Sequence, residues 1–128
     1  MRDIKFRGIN IKTGEMVFGG GIDSQRDTPI ITNHGERYFV DAKTVGQYTG
    51  LKDKNGVEIY EGDIVAGKSK VFGYTTGEVK LSEYLDCEEY MHETHLGWNV
   101  DGIPLCDLTN DGLTVIGNIH RDPELLGK

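Results

Sequence analysis

Apolar and polar residues alternate at period two along much of the chain, which is the mark of half-buried strands rather than helices. Ile4, Phe6, Ile9 and Ile11 follow this pattern, Lys12-Thr13-Gly14 supplies a turn, and Met16-Val17-Phe18 reads as the returning strand. Gly19-Gly20-Gly21 predicts a loop, because three glycines lose too much chain entropy to be held in a strand interior. Ile22 to Thr28 is polar and predicts an exposed connection ending at Pro29. Ile30-Ile31 and Tyr38-Phe39-Val40 predict short strands on either side of the turn Asn33-His34-Gly35.

The strongest local signal runs from Val45 to Val65. Asp53-Lys54-Asn55-Gly56 fits a type I turn, with Asp first and Gly fourth, where a positive φ is required. A three-residue loop closed by a glycine bulge sets Leu51 opposite Ile59 and Lys52 opposite Glu58. One face of the hairpin is then apolar, and the other carries a cross-strand pair of opposite charges. Glu61-Gly62 turns the chain, and Asp63-Ile64-Val65-Ala66 begins another strand. Asp63 could be an acid in a cleft, but an aspartate beside a turn more often accepts backbone N–H bonds there.

Gly77-Glu78-Val79-Lys80-Leu81 predicts a further strand after a glycine-bearing loop. Leu81, Tyr84, Leu85, Met91 and His95 are spaced roughly as on a helix, with Ser82 as an N-cap and Gly97 as a stop, so 81–95 predicts a short helix. Two irregular strands across an acidic loop are the alternative. Trp98-Asn99-Val100, the turn Asp101-Gly102 and Ile103 to Leu108 predict a second hairpin. Asn110-Asp111-Gly112 turns into Leu113-Thr114-Val115-Ile116, Gly117 marks a bulge or close backbone contact, and Asp122-Pro123-Glu124 ends the order.

Composition supports a β-rich chain, since 18 of the 128 residues are glycine, about twice the usual ~7% share. No apolar run approaches the ~20 residues a membrane span needs, and Met1-Arg2-Asp3 leads directly into a strand-like pattern without a signal-peptide core. Two cysteines, Cys87 and Cys106, are too few for a disulfide framework, and a reducing interior is expected. Residues 1–60 carry nine Lys and Arg against eight Asp and Glu, whereas residues 61–128 carry five against thirteen. The second half, with Glu83, Asp86, Glu88, Glu89 and Glu93 clustered, repels phosphate backbones.

Met1-Arg2-Asp3-Ile4-Lys5-Phe6-Arg7, the central run Gln47-Tyr48-Thr49-Gly50-Leu51-Lys52-Asp53-Lys54-Asn55-Gly56-Val57-Glu58-Ile59-Tyr60-Glu61-Gly62-Asp63-Ile64-Val65, and the ending Val115-Ile116-Gly117-Asn118-Ile119-His120-Arg121-Asp122-Pro123-Glu124-Leu125-Leu126 closely resemble the YopX family. Asp122 stands where that family commonly has Asn, and His120 where an aromatic is frequent. The resemblance implies a phage or prophage product of the bacterial cytoplasm, in a family of unknown function that transfers no catalytic residue. It also implies a mainly β fold (all-β to α+β), with an N-terminal hairpin lobe over 1–60 and a small SH3-like β-barrel over 61–128.

No constellation in the chain demands chemistry. Cys87, His92, His95 and Cys106 are the only candidate metal set, and they lack the tight cysteine knuckle of structural zinc sites, so no metal or cofactor is expected. The Thr49–Gly56 stretch lacks the order of a phosphate loop, and no nucleophile motif is present. No catalytic residue is assigned. Tyr48, Tyr60, Phe72, Tyr74 and Trp98 serve either a core or a binding surface. If a surface exists, Tyr48, Lys52, Asp53 and Tyr60 on the exposed side of the central hairpin are its first candidates. The expected function is a non-enzymatic interaction module that self-associates as a homo-oligomer or binds a host or phage protein. The alternative is a nucleic-acid-associated factor using Arg2, Lys5, Arg7, Lys12, Lys52 and Lys54.

Overall fold

Short runs of β-branched and aromatic residues, separated by glycine-bearing turns, pair as antiparallel strands throughout the chain. A computed structural model describes residues 4–24, 27–69, 73–86, 93–110 and 112–126. The fold is mainly β. It divides into two compact units, Met1–Gly50 and Leu51–Lys128. Residues 51–60, the turn and return of the central hairpin, fall in the second unit.

In the first unit, β1 (Phe6–Ile9) pairs with β2 (Met16–Gly19) in a register that sets Phe6 opposite Gly19 and Ile9 opposite Met16. Its other edge takes the start of β6 (Gly46–Lys52). A second sheet joins β3 (Gly21–Asp23), β4 (Ile30–Asn33) and β5 (Glu36–Phe39). The glycine run is thus a corner between two strands rather than an open loop, and Ile22 and Asp23 pair with Ile31 and Ile30 instead of forming an exposed connection. Gly19 permits this, because a Cβ there would collide with the carbonyl oxygen of Thr32 on β4. Ile30, Ile31 and Val40 are buried. A 3-10 turn, Ala42–Thr44, is capped by the Asp41 carboxylate, which accepts from the Lys43 N–H.

In the second unit, the end of β6 returns through the predicted turn as β7 (Glu58–Tyr60). β8 (Asp63–Ser69) lies between β13 (Thr114–Asn118) and β9 (Gly73–Glu78). The third sheet of this unit is β10 (Lys80–Asp86), β11 (Glu93–Val100) and the two-residue β12 (Ile103–Pro104). The helix expected over 81–95 is therefore corrected to two strands. They pair in unbroken register from Lys80 opposite Asn99 to Asp86 opposite Glu93. The long cross-strand ladder, which sequence spacing cannot reveal, overrides a helix-like pattern that was partly coincidental. Residues 87–92 lie outside the described residues.

The second hairpin is also corrected in its outer half. Asp101 and Gly102 make the tight turn, both at positive φ, but the returning strand ends at Pro104 and Leu105–Asn110 forms the helix α1. Leu105 and Leu108 explain the switch. Residues three apart point to opposite faces of a strand but to one side of a helix, and both leucines are fully buried. They join Ile59, Val65, Val79, Val100 and Leu113 in one core, against which Leu51, Trp98, Ile103 and Val115 pack. The register of β13 on β8 slips between Val115 and Gly117, the bulge expected at Gly117. Order does not end at Asp122: Pro123–Leu126 continues as a 3-10 turn, and the Asp122 carboxylate accepts the Asn118 N–H.

Candidate interaction surface

The central hairpin shows how its residues are used. The Asp53 N–H donates to the Val57 carbonyl at 2.8 Å, and the Gly56 N–H donates to the Asp53 carbonyl at 3.0 Å. These two bonds define a three-residue loop with the register read from the sequence, and Gly56 sits at φ 82° as its bulge position requires. One oxygen of the Asp53 carboxylate accepts the N–H groups of Asn55 at 2.8 Å and Val57 at 2.9 Å. The other accepts the Val115 N–H at 3.0 Å, from 62 residues away. Lys54 adds a backbone bond to the Leu113 carbonyl at 3.0 Å. The turn is thereby fastened to β13.

Burial would push the Asp53 carboxyl up, but the N–H groups of Val115, Val57 and Asn55, with the Lys54 charge, outweigh it and hold its pKa below an ordinary aspartate's. The carboxylate is an anchor that needs its charge. Asp63 acts in the same way on the next strand: it is buried, and Oδ2 accepts the Tyr60 N–H at 2.8 Å. This is the backbone-accepting role expected of it.

Of the four residues singled out at this hairpin, only Lys52 is exposed. Asp53 and Tyr60 are buried in the second unit, and the Tyr60 hydroxyl donates to Glu58 Oε1 at 3.3 Å. Tyr48 belongs to the first unit and is buried beneath Lys5, whose Nζ lies 5.7 Å from the ring centroid. The expectation that all four face solvent is corrected at Tyr48, Asp53 and Tyr60. Ile59 and Tyr60 are adjacent on β7 and so point to opposite faces, yet both are buried.

Cys87 and His92 lie outside the described residues, as do Phe72 and Arg2; His95 falls on β11, and Cys106 is exposed on α1. Among the described residues no three His, Cys, Asp or Glu side chains come together as a metal-binding group, and no helix is long and apolar enough to cross a membrane. Of the basic residues considered for phosphate contact, Arg7 is buried, whereas Lys12, Lys52 and Lys54 are exposed. Tyr74 stands almost wholly in solvent on β9, with Lys68 Nζ 5.6 Å from its ring centroid.

Sequence reading missed the face of the β10–β11 ribbon. Leu81 is paired directly with Trp98, and Leu96 lies two residues along β11 from Trp98. Residues two apart on a strand share a face, so Val100, Trp98, Leu96 and Leu81 form one apolar stripe. It begins at fully buried Val100, continues through half-buried Trp98, and runs out to Leu81 at 46% and Leu96 at 72% exposure. The ribbon carries its hydrophobic face past the end of the core. Period-two counting over 94–100 could have found this stripe, had the segment been read as a strand.

A family model described as "YopX protein" matches residues 5–127. Among solved structures, the chain is similar to the crystal structure of protein EF1440 from Enterococcus faecalis. Identity to it is 25%, the match covers 98% of this chain and 99% of that one, and the TM-score is 0.49. No curated protein sequence matches the chain significantly.

Proposed function

This chain belongs to the YopX family, and from that starting point we propose that it is a phage- or prophage-encoded, non-enzymatic interaction module of the bacterial cytoplasm, binding a protein partner or its own copy. The observation that carries this reading is the apolar stripe of the β10–β11 ribbon, where Leu81 and Leu96 stand in water beside Trp98. Exposed apolar residues that continue directly from a core are favourable to cover, at about 25 cal/mol per Å². The buried carboxylates of Asp53 and Asp63 accept backbone N–H groups and serve the fold. The strands that surround the core of the second unit support a small SH3-like barrel as the frame from which this ribbon projects.

The test uses Trp98, the single tryptophan. Its emission is followed on concentrating the protein and on adding partner fractions from host lysate, alongside light scattering. The reading predicts a blue shift on partner binding, with capture of a partner that Leu96→Ser abolishes while leaving the melting temperature unchanged. A chain that stays monomeric, captures nothing that Leu96→Ser loses and shows no shift would overturn it.

A further inference from the structure

We propose that two copies of this chain pair edge to edge through β10, antiparallel, in the register centred on Glu83, with Lys80 opposite Asp86 and Leu81 opposite Leu85 of the second copy. This rests on the reading of the chain as an interaction module that can bind its own copy, and it sets that self-contact on the edge of β10 beside the apolar stripe.

β10 is the outermost strand of its sheet, with β11 on one side and no other strand paired to it among the described residues. It is seven residues long, and every one of them is in register with β11. A strand paired without a bulge along its whole length presents an ordered row of backbone donors and acceptors on its other edge, which is the template that strand addition needs.

Backbone geometry then limits how a second β10 can be added. In an antiparallel ladder only alternate residues aim their N–H and C=O groups to a given side. Residues that point outward must therefore meet residues that also point outward, and an antiparallel pair of identical strands must be centred on a residue, not between two. Three central registers satisfy this rule within β10. Centring on Ser82 sets Lys80 opposite Tyr84 and Leu81 opposite Glu83. Centring on Tyr84 sets Ser82 opposite Asp86 and Glu83 opposite Leu85. Both oppose a leucine to a charge, and both leave β10 residues unpaired.

Centring on Glu83 pairs all seven residues. Each Lys80 then faces an Asp86, each Leu81 a Leu85, and each Ser82 a Tyr84. Opposite charges, apolar residues and hydroxyl-bearing residues are matched at every position but the centre. The two-fold axis makes each match occur twice, as an isologous contact requires. Lys80 is exposed and Leu81 is half out of water, so this end of the strand is accessible. Charges on an edge strand ordinarily prevent such pairing. Here the charges at the two ends complement each other across the axis, and only Glu83 meets its like.

The experiment is sedimentation or light scattering on the full chain over a concentration series, with four variants. The wild type should be a dimer at concentrations of ~100 µM or below. Lys80→Glu and Asp86→Lys should each weaken it about tenfold or more, since each substitution acts at both ends of the contact. The double variant Lys80→Glu/Asp86→Lys should restore it to within about threefold, because the reversed pair again attracts. Glu83→Gln should tighten the dimer, by relieving the one like-charge contact. Melting temperatures confirm that each variant is folded. A monomeric wild type overturns the pairing, as does a double variant no tighter than the singles or a Glu83→Gln variant that loosens the dimer. If the wild type is monomeric yet captures a protein that Leu96→Ser loses, this pairing falls while the module reading stands.

Discussion

The hairpin closed by Asp53 and the ribbon of β10 and β11 lie in the same compact unit, yet they treat their surfaces in opposite ways. In the first, the turn aspartate is buried, its carboxylate accepts three backbone N–H groups, and the turn is fastened to β13 through Val115 and Leu113. Ile59 and Tyr60, on opposite faces of its return strand, are both buried. In the second, the ladder is longer, the edge of β10 is unpaired by any described strand, and the apolar stripe leaves the core at Trp98 and ends in solvent at Leu96. A saturated hairpin can only hold the fold. A ribbon with uncovered apolar area and an available edge has something left to bind with.

The sharpest way to break this contrast is Asp53→Ala. Three N–H donors would lose a charged acceptor at once, and at ~1–3 kcal/mol for each unsatisfied or weakened group, not fully additive, the loss should be about 3 kcal/mol. Urea unfolding should show a lower midpoint for this variant. If stability changes by less than ~1 kcal/mol, Asp53 is not the anchor described.

Acid should act on the same residue. Its folded-state pKa is depressed, so its contribution is fully present above the unfolded-state value of about 3.9 and is lost as pH falls through the lower folded value. The stability gap between wild type and Asp53→Ala should therefore be constant near neutrality and narrow below about pH 4. A gap that instead closes on raising the pH would contradict the assigned shift.

Gly56→Ala tests the turn's backbone rather than its side chain. At φ 82° the position strains a residue with a Cβ, and a cost of about 1 kcal/mol is expected from thermal unfolding. The smallest stability effect belongs to the ribbon. Leu96→Ser should change stability by no more than ~0.5 kcal/mol, because the side chain is mostly in water already. Its effect should fall on association instead. A large destabilisation would place Leu96 in the fold's own packing and remove the contrast.

The two hairpins also differ in how readable they were. The Asp53 hairpin is written in local chemistry: an aspartate that opens a type I turn, a glycine at the bulge, and period-two alternation fix its register within ten residues. Asp63 and Gly117 were legible for the same reason. What the sequence did not disclose was the anchoring of Asp53 on Val115, which depends on a contact 62 residues distant. The exposure expected of Tyr48 and Tyr60 failed similarly, since alternation gives which face a side chain takes and not what covers that face. In the ribbon, Leu81, Tyr84 and Leu85 mimic helical spacing, and only the pairing with 93–100 makes them strand residues. At Leu105–Asn110 the sequence pattern predicts a strand, but the shared burial of two leucines three apart needs a helix.

Hydrogen–deuterium exchange, resolved along the chain and compared between dilute and concentrated or partner-bound protein, tests the central claim most directly. Added protection is expected over residues 80–86 and 93–98, with none over 51–60, where the backbone is already engaged. Added protection at 51–60 with none on the ribbon would contradict it, and would return the binding surface to the central hairpin.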